Sequence, residues 1–146
     1  MDINGTLAIS ASALRAERLR LDVIASNLAN ANTTRTAAGG PYVRRNVIFE
    51  SQPMESEFGA TLAALSEEGA REGVAVADVI DDPTPPRLVF DPGHPDADKD
   101  GYVAYPNVNA ISETVDLMAA TRAYEANVQV VNATKRMAEA ALLIGG

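Results

Sequence analysis

The 146-residue sequence contains no cysteine. That single absence excludes disulfides, zinc–thiolate sites and cysteine nucleophiles. Tryptophan is also missing, and aromatic residues make up only 5% of the chain. The 47% hydrophobic content leans heavily on alanine, which buries little area per residue. At roughly 25 cal/mol per Å² of apolar surface, such a core stabilises weakly. The chain is therefore expected to need neighbours to complete its core. His94 is the one histidine, so a Ser–His–Asp relay would have to use it, and no G-x-S-x-G nucleophile elbow is present. No run approaches the roughly 18 apolar residues of a membrane span. The start, Met1-Asp2-Ile3-Asn4-Gly5, lacks a basic region, and Arg15, Arg18 and Arg20 fall where a signal peptide's apolar stretch would end. No cleavable signal peptide is expected. A cytoplasmic protein and one exported without cleavage would look alike in this respect.

The net charge of −8 is unevenly spread. Residues 1–49 carry six arginines against three acidic residues, and residues 50–101 carry thirteen acidic residues against three basic ones. Residues 102–146 are close to neutral, with four acids and three bases. A nucleic-acid binder usually presents a basic patch, whereas the middle of this chain would repel phosphate. Arg15, Arg18, Arg20, Arg44 and Arg45 suit either simple solvation or contact with the acidic middle of a neighbouring subunit.

Prolines are absent from both ends. All eight lie between Pro41 and Pro106. Before them, a helix is predicted from about Gly5 to Asn30. Leu7, Leu14, Leu21 and Leu28 recur every seven residues, Ala11 and Ala25 add four-spaced partners, and Arg18 is a polar interruption. Asn27, Asn30 and Asn32 cluster at its end. They suit a polar cap using the left-handed conformation asparagine tolerates, or bonds to main-chain groups of adjacent subunits. After the prolines, a second helix is predicted from about Asn109 to Ile144, with Asn107 or Asn109 capping its start and Gly145-Gly146 ending it. Leu117, Tyr124, Val131 and Ala138 recur every seven residues, with Thr121, Val128 and Leu142 beside them and Lys135 as the polar exception. Arg18 and Lys135 are candidates for setting register, as buried polar groups do in coiled coils.

Between the helices, Val43–Phe49, Gly73–Ile80, Arg87–Phe90 and Gly101–Tyr105 read as strands of a small antiparallel sheet, with Asp81-Asp82-Pro83 as a turn. Gly59–Gly69 suits either a short helix or a loop. The reading is α+β: residues 1–35 and 107–146 form paired terminal helices, and residues 36–106 form a β-containing middle domain. Asp96-Ala97-Asp98-Lys99-Asp100-Gly101 matches the first half of a calcium loop. The twelfth position, which should be a bidentate Glu, is Asn107. A turn with Gly101 at positive φ is the expectation, and no metal ligand, cofactor or catalytic residue is assigned. His94 is expected to hydrogen-bond a neighbouring carboxylate.

The sequence Asn27-Leu28-Ala29-Asn30-Ala31-Asn32-Thr33 resembles the end of the N-terminal helix in flagellar rod and hook proteins. Tyr124-Glu125-Ala126-Asn127-Val128, followed by Lys135-Arg136-Met137, looks like that family's C-terminal helix. Between them, Gly40-Pro41-Tyr42-Val43-Arg44-Arg45, the stretch Phe90-Asp91-Pro92-Gly93-His94-Pro95-Asp96 onward to Val103, and Pro106-Asn107-Val108-Asn109 resemble the C-type branch of basal-body rod proteins. The resemblance implies a non-enzymatic proximal rod subunit. Such a subunit leaves through the flagellar export apparatus without signal cleavage. It stacks with its own copies and neighbouring rod proteins into a hollow periplasmic shaft that carries torque and lets exported subunits pass. The terminal helices would form the inner tube and the middle domain would pack outside. The expected assembly interface is Leu7, Leu14, Arg18, Leu21, Asn27, Leu28, Asn30 and Asn32 on the first helix, with Leu117, Tyr124, Asn127, Val128, Val131 and Leu142 on the last. The rival classes are a helical adaptor or export chaperone and an enzyme or calcium module.

Overall fold

A computed structural model describes residues 3–53 and 72–144. The reading of Gly59–Gly69 and the stop at Gly145-Gly146 lie outside the described residues. Helix α1 (Ile3–Ala29) is followed by strands β1 (Arg45–Pro53), β2 (Glu72–Asp81), β3 (Arg87–Phe90) and β4 (Tyr102–Tyr105), then helix α2 (Ala110–Ile144). Both helices form where the sequence is rich in Ala, Leu, Arg and Glu and free of proline. Asn109 caps α2 through its side-chain oxygen, which accepts the Ile111 amide at 3.0 Å.

The end of α1 differs from the expectation. No non-glycine residue among those described has positive φ, so no asparagine takes the left-handed conformation. The helix stops through tightened turns instead. Ala31 N–H donates to Leu28 C=O and Thr33 N–H to Asn30 C=O, while the Asn30 amide group caps the Ser26 carbonyl at 2.9 Å. The left-handed positions fall on Gly39 and Gly40, at φ 87° and 76°, where the chain reverses toward β1.

Asn27, near the end of α1, meets Glu113, in the first turn of α2. The two helices pack along their length, so they run antiparallel. At about 1.5 Å per residue, the 35-residue α2 outreaches the 27-residue α1 by about 12 Å. Its last turns carry the exposed Leu142 and Leu143. Helix α1 also packs on the β1–β2 ribbon. Ser12 bridges the two elements, donating to Ile9 C=O and accepting the Val74 amide at 3.0 Å. The Arg20 guanidinium lies 6.0 Å from the centre of the Phe49 ring.

Instead of one sheet, the strands form two separate two-stranded antiparallel ribbons, β1–β2 and β3–β4. The ribbon β1–β2 carries a bulge at Ile48/Phe49, where Ala77 is the extra residue. The turn after β2 is real, but it does not pair β2 with β3. Asp82 folds back on Thr84, accepting its amide at 3.0 Å, and two prolines follow, Pro85 and Pro86, which cannot donate to a ladder.

The β3–β4 hairpin is closed by the loop 91–101, in which Asp98 accepts the amides of Asp100 and Tyr102. Gly101 has φ 82°, as expected, and an added Cβ would lie 2.9 Å from the Phe90 ring and 3.3 Å from Pro92 Cβ. Gly101→Ala should cost about 2 kcal/mol of unfolding free energy, chiefly from the left-handed backbone. Chemical denaturation checks this, and a loss below a few tenths would mean the loop relaxes freely.

Among the described residues, the buried apolar side chains are Ala16, Val23, Ile24, Val103, Pro106 and Ala120. This is the weak, alanine-assisted core the composition implies. The heptad leucines sit at its margin: Leu7, Leu14 and Leu21 are half-buried and Leu28 is exposed. A straight helix drifts about 20° per seven residues, and α1 is covered on two flanks, so the most enclosed line runs through Ala16, Val23 and Asn27 instead.

Candidate assembly interface

The best-built polar site is a node where α1, the entry to β1 and the start of α2 converge. Asn27 is its centre. The Asn27 Nδ2 group donates to Arg45 C=O at 2.8 Å and to Glu113 Oε2 at 3.2 Å. Its Oδ1 accepts from Tyr42 Oη–H at 2.9 Å and from Arg45 N–H at 3.0 Å. A primary amide has two donor hydrogens and two acceptor lone pairs, and all four are used. The side chain therefore pairs with the backbone of Arg45 much as a neighbouring strand would.

Glu113, also buried, is held from its other oxygen by Arg44 Nε at 2.6 Å. The same guanidinium reaches Asp82 at 3.4 Å and Asp116 at 3.9 Å and bonds Asn46. Burial disfavours the Arg44 charge, but bonding and attraction to Glu113 and Asp82 outweigh it, so its pKa rises above the ordinary arginine value. Being in the first turn of α2, Glu113 also meets the positive end of that helix's dipole.

Asp82 is held below its ordinary pKa, first by the Thr84 hydroxyl, then by the Thr84 amide, with Arg44 adding to the effect. A depressed carboxylate adds stability above its unfolded pKa and loses it as pH falls through the folded value. The Thr84→Ala penalty should thus be present at pH 7 and shrink as pH falls below 3.8, the ordinary Asp value. Denaturant titrations at pH 6 and pH 3 check the sign. An equal penalty at both would contradict it.

The sequence left Asn27 open between a polar cap and a bond to adjacent subunits. Within the chain its amide already makes four hydrogen bonds. Asn30 is likewise used locally, capping Ser26 and accepting the Thr33 hydroxyl at 3.2 Å. Asn32 is exposed and makes no side-chain hydrogen bond among the described residues. Asn127 bonds back to Ala123 C=O within α2. Leu117, Tyr124, Val128 and Val131 are half-buried along α2, on or beside the line of the buried Glu113, Ala120 and Thr134, while Leu142 is exposed. Arg18 is fully on the surface, and Lys135 makes an exposed i,i+4 contact with Glu139 at 4.0 Å. Neither occupies a buried seam within the chain.

The face that sequence reasoning missed is the outer side of α2. Ile111, Val115 and Met118 are 78%, 61% and 52% exposed. They stand at i, i+4 and i+7, on the side opposite Glu113 and Ala120, and Met137 continues the exposed side near the far end. That spacing was readable. The seven-residue repeat of Leu117, Tyr124 and Val131 drew attention to the other face. An amphipathic helix normally buries one side, and over its first turns α2 is apolar on two, with only one covered, until Arg122 and Glu125 interrupt the outer stripe.

The calcium-like run does not converge. Asp96 accepts from Thr34 Oγ1 at 2.8 Å and lies 3.7 Å from Arg35, while Asp98 closes the backbone turn. His94 differs from expectation in its partner. Its Nδ1 accepts the Asp96 backbone amide at 3.1 Å, and no carboxylate among the described residues bonds it. The ring stands edge-on to Tyr105 at 6.2 Å.

Comparison with known proteins agrees with this architecture. Residues 7–35 match the family described as Flagella basal body rod protein, and residues 99–143 match Flagellar basal body rod FlgEFG protein C-terminal. The two matches fall on α1 with the turn after it and on α2 with its approach. The flagellar basal-body rod protein FlgC of Borreliella burgdorferi is 42% identical over 99% of this chain and 98% of its own length. FlgC of Bacillus subtilis is 46% identical over 96% of each, and FlgC of Escherichia coli O157:H7 is 43% identical over 94% and 93%. On this full-length similarity, the chain belongs to the FlgC family of flagellar basal-body rod proteins.

Proposed function

We propose that this chain is a structural, non-catalytic subunit of the flagellar basal-body proximal rod. In this reading it stacks with its own copies and neighbouring rod proteins into a hollow helical shaft in the periplasm. The shaft carries torque and lets exported subunits pass. The observation that carries the reading is the near-complete, 42–46% identity to FlgC proteins of bacteria as different as Borreliella and Bacillus. The small buried core and the open α2 face support it physically. A chain that leaves Ile111, Val115 and Met118 in water gains stability when a neighbour covers them, at roughly 25 cal/mol per Å² of apolar surface. Export through the flagellar apparatus without signal cleavage follows from the same reading, as does the division into an inner helical unit, 1–35 with 107–146, and an outer unit, 36–106. The interface set of the helices keeps Leu7, Leu14 and Leu21 as half-covered margins and Leu28 and Asn32 as exposed side chains, and gains the outer α2 stripe.

Mass spectrometry of detergent-purified hook–basal bodies tests the reading. The chain should be present and remain bound after a high-salt wash. Its absence from particles that contain other rod and hook proteins would sink the reading, and would favour a soluble adaptor or export chaperone.

A further inference from the structure

The β3–β4 hairpin has apolar side chains on both faces. Val89 and Val103 pair across the strands on the inner face, and Val103 is buried. On the outer face Leu88 and Phe90 are 65% and 64% exposed, and Phe90 meets Tyr102 edge-on at 5.3 Å. Nothing among the described residues covers this face. Around it the loop 91–101 presents the exposed carboxylates Asp91, Asp98 and Asp100 against one exposed cation, Lys99. The hairpin is thus a projecting apolar tip with an acidic rim.

A complementary surface lies elsewhere on the same chain. Between α1 and the β1–β2 ribbon runs an open groove of about 340 Å³, lined by the apolar Ala16, Leu19, Val74 and Val76 together with Ser12, Gln52 and Arg15. Leu19 and Val74 are exposed there. Arg15 and Arg18, one turn apart on the outside of α1, enter no ion pair among the described residues. The groove is concave, apolar and basic at its edge, where the hairpin is convex, apolar and acidic.

We propose that the β3–β4 hairpin of one copy seats in the α1–ribbon groove of a second copy. The inference rests on the rod-subunit reading and names a contact within it. Phe90 and Leu88 cover the groove floor, and the acidic rim faces Arg15 and Arg18. Because the two surfaces differ and lie apart on each copy, the contact is head-to-tail, and repeating it extends a helical filament unless the rotation closes a ring. It also gives a role to the acidic side chains of the loop 91–101 and to Arg15 and Arg18. Opposite charges across the contact steer and fix its register.

The chain's lack of cysteine makes the test direct. Phe90→Cys and Leu19→Cys are introduced together, and basal bodies from cells carrying this variant are oxidised. Cross-linked dimers and larger multimers of the chain are expected from the double variant, and none from either single variant. Basal bodies that contain the double variant but give no cross-link overturn the contact while leaving the rod reading intact. A chain missing from basal bodies even when unsubstituted overturns both. Should the cysteine pair itself block incorporation, a charge swap decides. Arg15→Glu and Asp100→Lys are each expected to reduce the amount of chain in basal bodies, and together to restore it. Failure of the pair to recover any of the loss counts against the contact.

Discussion

Glu113→Ala is expected to lower the unfolding free energy of the chain by about 3 kcal/mol, at the lower end of the range for removing one partner of a buried ion pair. The lower end applies because the Arg44 left behind keeps Asp82 at 3.4 Å and Asp116 at 3.9 Å. The loss has two sources. Arg44 loses its closest anion, at 2.6 Å, and one Asn27 N–H loses its acceptor. An unsatisfied buried donor alone costs about 1–3 kcal/mol. For a single domain of ordinary stability, about 5–15 kcal/mol, this is a large fraction. Urea unfolding followed by far-ultraviolet circular dichroism measures it. Because Asn27 and Glu113 bond each other, Asn27→Ala with Glu113→Ala should cost less than the sum of the single changes by about 1 kcal/mol or more. Strict additivity would show that the node does not act as one unit, and a Glu113→Ala cost under 1 kcal/mol would show that it is not buried in solution.

The second large effect concerns assembly and leaves the fold alone. Val115→Asp combined with Met118→Asp should abolish incorporation into basal bodies and with it motility. Both side chains are more than half exposed in the isolated chain, so the substitutions should change its unfolding free energy by no more than about 0.5 kcal/mol. If a neighbour covers the stripe, the same carboxylates become buried and unpaired, which is strongly unfavourable. Motility assays and immunoblots of purified basal bodies, beside denaturation of the purified chain, separate the two effects. Normal incorporation of the double variant would show that this face stays in water. Loss of fold would show that the stripe is already covered within the chain.

The architecture was readable where local chemistry decides it. Proline-free, alanine- and leucine-rich stretches gave the two helices within two residues of their observed starts, and Asn109 was one of two caps considered. Arg87–Phe90 was located to the residue, and Gly101 took the positive φ that its place at the end of Asp96-Ala97-Asp98-Lys99-Asp100 suggested. What local chemistry does not carry was harder to read. The split into two ribbons depends on long-range pairing of β1 with β2, which no turn motif announces. The role of Asn27 depends on Tyr42, Arg45 and Glu113, up to 86 positions away in sequence. An amide that looked like a cap or an intersubunit contact proved to be an internal clamp. Strict seven-residue counting placed Leu28, Arg18 and Lys135 on a seam, whereas within the chain all three are exposed. The same counting passed over Ile111, Val115 and Met118, whose i, i+4, i+7 spacing marks the uncovered side of α2.

The account's central claim is that the chain is a rod subunit whose outer α2 face is free before assembly and covered after it. Single-cysteine labelling at Val115→Cys tests this most directly, since the parent chain has no thiol to compete. The expected result is rapid maleimide labelling of the purified chain and strong protection of the same thiol in intact basal bodies. Equal labelling in both states would contradict the claim.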